Sequence, residues 1–301
     1  MPKPITVRAF FKQFPDDETC LAHLFEVRFG QGHVCPKCER SARWYPLKAE
    51  SAFSCQWCGH HVHPMVGTIF EKSRTPLQLW FYAIFLFTKT RHGVSAKELE
   101  RQLGVTYKCA FRMAQRIRLH MAAIDGDEPL GGPGEIVEID EAYVGGKSDK
   151  YGHGAGRRSK AVVIGMVERG EGGRVIAEVV PDARQSTLHA EIEEGVAEGS
   201  EIHADMHNSY DRLDKKGYDV RRINKDQLGA YVTADGVTVN AVENFWRHLK
   251  CSIQGTHISV SKKHLQTYVK EFEYRFNRRM TPSAMFSELL TRFPELETAG
   301  E

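Results

Sequence analysis

Ile136-Val-Glu-Ile-Asp-Glu-Ala-Tyr-Val144 is the stretch on which the fold turns. Its β-branched residues and its alternation read as a strand, and Gly145-Gly146 ends it. Successive side chains of a strand leave on opposite faces, so Ile139 and Glu141 share one face and Asp140 and Ala142 the other. A half-buried strand carboxylate costs free energy unless it is paired or holds a cation. The pattern alone leaves open which of Asp140 and Glu141 points inward.

Downstream, Ala161 to Val167 and Arg174 to Val180 read as two further strands joined across the hairpin residues Gly170–Gly173. Ser186 to Val196 reads as a helix, Glu201-Ile-His-Ala-Asp205 as a short strand, Asn208 to Lys216 as a helix and Tyr218 to Ile223 as a strand. Val242 to Ile253 and Ser261 to Arg279 read as helices. The order βββ-α-β-α-β-α-α predicts an α/β domain, a mixed sheet with helices on both faces. Asp205 ends the fourth strand, and Glu243 opens a helix in Asn240-Ala-Val-Glu-Asn-Phe-Trp246. Carboxylates that bridge two hard cations are the machinery of in-line displacement at phosphorus. Phe245, Trp246, Tyr268, Phe272 and Phe276 fall on apolar helical stripes and read as core.

Upstream, the Gly/Pro-rich Leu130-Gly-Gly-Pro-Gly134 marks a linker. Before it, Thr75-Pro-Leu opens an apolar helix running to Arg91, with Thr as cap and Pro in the first turn. Ser95-Ala-Lys-Glu98 is a capping box for a second helix, Gly104-Val-Thr106 a turn, and Tyr107 to Met121 a third helix. Helix, short glycine turn, helix is the helix-turn-helix pattern. Its second helix carries Lys108, Arg112, Gln115, Arg116 and Arg118, residue types that reach phosphates and base edges.

Cys35-Pro-Lys-Cys38 is followed after sixteen residues by Cys55-Gln-Trp-Cys58. Each pair places two sulfurs toward one metal, and two pairs complete the tetrahedral thiolate shell zinc prefers, with no open position. The zinc is therefore expected to be structural, in a small ribbon with strands at Ala42–Tyr45 and Ser51–Ser54. Cys20, Cys109 and Cys251 stand alone and are expected to be buried thiols; His60, His61 and His63 are read as surface residues. Seven cysteines, four of them in two tight pairs, favour metal binding over a disulfide framework.

The 301 residues suit two or three compact units. The boundaries drawn from the pattern are 1–72 for the N-terminal segment with the ribbon, 73–126 for the helix-turn-helix and 127–301 for the mixed-sheet domain. With 41% hydrophobic and 27% charged residues the chain reads as globular. The net charge of +2 hides an asymmetry: residues 1–120 carry +9, 121–239 carry −9, 240–280 carry +5 and 281–301 carry −3. Basic stretches around an acidic middle point to polyanion-binding surfaces flanking a carboxylate site. The longest apolar run, Leu79–Phe87, is far short of the roughly 20 residues of a membrane span. No signal peptide is evident, and a cytoplasmic protein, nucleoid-associated when on DNA, is expected.

Read together, Cys35–Cys38 with Cys55–Cys58, Ile139-Asp-Glu-Ala-Tyr-Val-Gly-Gly-Lys147, Ile202-His-Ala-Asp205 with Tyr210, Val239-Asn-Ala-Val-Glu-Asn-Phe-Trp-Arg-His-Leu-Lys250, His264-Leu-Gln-Thr-Tyr268 and Glu271-Phe-Glu-Tyr-Arg-Phe-Asn277 resemble a bacterial insertion-sequence transposase of the DDE type, of the fifteen-ninety-five insertion-sequence family. The likeness covers roughly residues 15 to 295. It implies a ribonuclease-H-like mixed-sheet catalytic core preceded by a zinc ribbon and a helix-turn-helix. It also implies Asp140, Asp205 and Glu243 as the catalytic triad, holding Mg2+ or Mn2+, with sixty-four residues between the first two and thirty-seven between the last two. The implied partners are DNA (terminal inverted repeats and target) and further copies of the chain, with no membrane. Lys147, Arg157, Arg158, Arg247 and Lys250, beside the implied site, are expected DNA contacts along with Lys108, Arg112 and Arg116. One departure stands out: the family often has His-Thr-Asn before its third acid, where this chain has Thr238-Val-Asn240. The competing readings are an element-derived DNA-binding protein without catalysis and a nuclease or resolvase on structured nucleic acid. The intact acid set argues against the first and the ribbon with its helix-turn-helix against the second.

Overall fold

The computed structural model describes residues 5–126, 128–145, 160–224, 227 and 229–294. The chain forms two compact units, residues 1–124 with 281–301, and residues 125–280.

The first unit opens with α1 (Val7–Gln13) and α2 (Asp17–Arg28), whose Thr6 and Asp16 side chains cap the orphan amides of Ala9 and Thr19. A three-stranded antiparallel sheet follows, β1 (Trp44–Pro46), β2 (Phe53–Cys55) and β3 (His61–Val62), in the order β1-β2-β3. Phe25 of α2 stacks on Phe53 at a centroid distance of 4.1 Å, which ties the ribbon to the helix. α3 (Leu77–Lys89) is buried nearly all round, as its unbroken apolar run demands. It begins at Leu77 with Pro76 at the cap, and the Thr75 hydroxyl lies 3.1 Å from Cys109 Sγ rather than capping the helix. α4 (Ala96–Leu103) has the Ser95 cap expected of it and ends on Gly104 at φ +65°, a left-handed cap that costs glycine little. α5 (Tyr107–Asp125) starts on the Thr106 hydroxyl, which accepts from Cys109 N–H at 3.3 Å. The helix Met285–Thr291 belongs to this unit, its Phe286 packed edge-on against Phe10 and Phe85.

The second unit is a five-stranded mixed sheet: β4 (Ile136–Val144), β5 (Ala161–Glu168), β6 (Val175–Val180), β7 (Glu201–Asp205) and β8 (Asp219–Ile223), in spatial order β6-β5-β4-β7-β8. β4 lies at the centre, antiparallel to β5 and parallel to β7, with β8 parallel beyond β7. α6 (Gln185–Gly195) covers one face with Ile139, Ile164 and Ile202 beneath it. α7 (Asn240–Ser252) and α8 (Lys262–Asn277) cover the other, over Ala142, Val163 and Ala177. The predicted helix over Asn208–Lys216 is instead two 3-10 turns, Asn208–Tyr210 and Leu213–Lys216, broken where Arg212 takes φ +67°. The outer edge of β6 is occupied by side chains of α8: Val175, Ala177 and Val179 donate their free N–H groups to Asn277 Oδ1, Glu273 Oε2 and Gln266 Oε1 at 2.7–2.8 Å.

Candidate active site and metal centre

The strand periodicity read from residues 136–144 fixes the geometry. Glu138, Asp140 and Ala142 face α7, whereas Ile139 and Glu141 face α6. Glu141 is engaged on that other side, where the Tyr210 hydroxyl donates to it at 2.6 Å. Asp140 takes a hydrogen bond from the indole N–H of Trp246, one turn along α7 from Glu243, at 3.1 Å. Asp205 ends β7, whose parallel ladder with β4 pairs Glu138 with His203 and so carries Asp140 and Asp205 toward the same end of the sheet. Burial, then the charges of Glu141, Asp205 and Glu243, push the Asp140 carboxyl from 3.8 up to about 7. Asp205 of β7 and Glu243 of α7 thus bring their charges to bear on Asp140, while Glu141 acts from the opposite face. Their oxygens are not drawn into one tight cage, since among the described residues the four cysteines alone gather ligand atoms within 4.8 Å of one another. The donor set suits Mg2+, a hard cation that keeps several waters and needs only one or two carboxylates.

Trp246 reaches Asp140 because the residue opposite on β5 is Gly165. A Cβ there would lie 2.5 Å from Trp246 Cζ2. Glu138, 1% exposed, accepts from the backbone N–H groups of Ala241 and Val242 at 2.6 and 3.3 Å. Neither role is visible in the sequence, where Trp246 reads only as core; the available signal was that Glu138 lies two residues before Asp140, on the same strand face. Thr238, where the family often has His, is buried and structural: its hydroxyl donates to Tyr231 O at 2.9 Å and accepts from Asn240 N–H at 3.2 Å.

Cys35, Cys38, Cys55 and Cys58 come together as expected, with Sγ–Sγ separations of 3.6 Å for Cys35–Cys58 and 3.9 Å for Cys38–Cys55. A tetrahedral zinc thiolate site with Zn–S of about 2.3 Å needs sulfurs about 3.8 Å apart, so the cluster fits the ion. Burial raises the Cys35 thiol, but the N–H groups of Cys38 and Lys37 outweigh it and leave it lowered to about 7, toward the thiolate that zinc binds. Cys20 is buried and Cys109 half-buried, but Cys251, expected to be buried, is exposed on α7.

The expected DNA contacts fall into three groups. Lys108, Arg112, Arg247 and Lys250 are exposed. Arg116 donates to the carbonyls of Ile69 and Glu71 at 2.9 and 2.8 Å, and so ties α5 to the loop before α3. Arg118 is 1% exposed, under the Phe87 ring at 5.4 Å, because it lies one helical turn from the core residue Ala114. Lys147, Arg157 and Arg158 lie outside the described residues. Among the described residues no helix is long and apolar enough to cross a membrane.

Fold and site together define a zinc-ribbon protein with a mixed α/β domain whose central strand carries convergent acids. Residues 129–277 match the ISXO2-like transposase domain and residues 15–61 the transposase zinc-ribbon domain. The chain belongs to this transposase family. It is 29% identical over 283 residues to an uncharacterized protein in transposable element ISH50 of Halobacterium salinarum, covering 88% of this chain and 92% of that one. It is 34% identical over 104 residues to an uncharacterized transposase-like protein of Haemophilus influenzae, covering 35% of this chain and 81% of that one.

Proposed function

We propose that the protein is a DNA transposase that binds the ends of its element and catalyses metal-dependent cleavage and strand transfer through Asp140, Asp205 and Glu243. The observation that carries this reading is that Asp205 of β7 and Glu243 of α7 bring their charges to bear on Asp140 of β4, whose carboxyl burial first and the neighbouring charges second push up to about 7. Such crowding is tolerated where a cation is bound. Within a chain of this family, the strand order β6-β5-β4-β7-β8 supports a ribonuclease-H-like core. The α4–Gly104–α5 segment supports a helix-turn-helix.

Asp140, Asp205 and Glu243 would hold Mg2+ or Mn2+. A cation held there would supply positive charge to the attacking and departing oxygens. In cleavage a water oxygen bonds to phosphorus at the element end, the P–O3′ bond breaks, and the freed 3′-oxygen takes up a proton. In joining, that 3′-hydroxyl attacks a target phosphodiester and the target's own 3′-oxygen departs. Trp246 holds Asp140 in place. Arg247 and Lys250, exposed along α7 beside Glu243, approach the backbone phosphates, and Lys147, Arg157 and Arg158 join them. Lys108 and Arg112 face the element end, and the zinc ribbon stiffens that part of the chain. Joining two ends brings at least two copies together.

The test is strand transfer with the element's own terminal repeats and Mg2+. Wild type joins ends to target and Asp140→Ala does not. A wild-type protein that binds the ends yet neither cuts nor joins them refutes the proposal.

A further inference from the structure

The helix that carries Glu243 has no side-chain cap from its cap residue, Val239, and the Thr238 hydroxyl before it takes the first amide, Asn240 N–H. The first amides of an α-helix need acceptors, and a carboxylate placed there also meets the positive end of the helix dipole. For the next two the acceptor comes from the sheet: Glu138 Oε2 takes the N–H groups of Ala241 and Val242, while its Oε1 lies 3.6 Å from Arg169 Nε. Two residues further on, on the same strand face, Asp140 takes the indole N–H of Trp246. The same face of β4 therefore grips α7 at both ends of its first two turns, and Glu243 lies between the grips. A third tie holds the chain just before the helix. His203, beside Glu138 on β7, places Nε2 2.7 Å from Glu201 Oε1. With Nε2 donating to that carboxylate, Nδ1 is the acceptor for Thr238 N–H at 3.3 Å.

We propose that Glu138 is a positioning residue: by reach rather than by charge, it caps α7 from the sheet and sets the distance between Glu243 and Asp140. This rests on the reading that Asp140, Asp205 and Glu243 form the reacting centre. Supporting hydrogen bonds behind metal ligands typically change metal affinity by 10–100-fold when lost. Gln keeps a carbonyl oxygen at the same reach, whereas Asp keeps the charge but falls one methylene short.

The experiment is a Mn2+ titration of the full-length, zinc-loaded protein, followed by the loss of free-ion electron paramagnetic resonance signal, for wild type, Glu138→Gln and Glu138→Asp. Far-ultraviolet circular dichroism checks the fold of each. Glu138→Gln is expected to bind Mn2+ within about threefold of wild type, and Glu138→Asp at least about tenfold more weakly. Strand-transfer rates should fall in the same order, and binding to terminal-repeat DNA should not change. The reverse order, with Asp near wild type and Gln weakened, shows charge rather than reach and overturns the proposal; equal affinity in all three also overturns it. Glu243→Gln serves as the control. If it titrates like wild type, the bound ion is not at this centre and the triad reading fails instead.

Discussion

Replacing Asp140 by asparagine removes a charge from the site while keeping its shape, because the amide oxygen can still accept from the Trp246 indole. In the folded chain this carboxyl sits at about 7 instead of 3.8, through burial first and the surrounding carboxylates second. A raised native pKa means that the folded state binds the proton more tightly than the unfolded one. The stability it brings is complete below 3.8 and is lost as pH rises through about 7. A shift of about three units bounds that loss at about 4 kcal/mol. Residual solvent contact and relaxation reduce it to about 1–3 kcal/mol. In urea titrations at about pH 8 without divalent ions, Asp140→Asn should therefore be the more stable protein by that amount. The two curves should converge as the pH falls to about 4. Adding Mg2+ should stabilise wild type, by preferential binding to the folded state, and leave the variant where it was. A variant no more stable at pH 8, or one whose margin is the same at both pH values, would refute the electrostatic account of the site.

Three further outcomes are expected. Gly165→Ala pushes a methyl group into Trp246 and should cost about 1–3 kcal/mol in thermal unfolding, with a change in tryptophan emission; unaltered emission and stability would contradict the packing described. Lys270→Met strands Glu178 and the buried Glu273, both of which contact its ammonium group, and should cost about 3–5 kcal/mol in urea; a neutral effect would show the pair to be dispensable. Burial pulls that ammonium down, but the two carboxylates pull it up further, so the loss should be evident at neutral pH. Cys38→Ser should release the zinc and unfold the ribbon while the circular dichroism transition of the 125–280 unit persists; full zinc retention would remove Cys38 from the ligand set.

What could be read in the sequence was whatever local spacing encodes. The two Cys-x-x-Cys turns gave the thiolate cluster, because each turn is its own template. The alternation in residues 136–144 placed Asp140 and Glu141 on opposite faces, because a strand has period two. Long-range partners were not legible. Nothing in Asn240–Trp246 says that its indole will bond a strand 106 residues earlier, or that Glu138 will cap it. Residue type misled for Arg118, a cation that the helical period turns into the core, and for Cys251, which the same period leaves exposed. The Asn208–Lys216 segment has helix-forming residues but too little length to hold a helix against the backbone reversal at Arg212. The helix Met285–Thr291 was not read from the sequence, whose last expected helix ends at Arg279, and nothing local says which core it joins.

The row of α8 side chains along β6 also bears on how this sheet meets other molecules. An edge strand normally offers an open backbone to any passing chain. Here Gln266, Glu273 and Asn277 occupy those positions, so on that side admission is decided by side chains and can be edited rung by rung. The sheet consequently bars growth by strand addition beside β6.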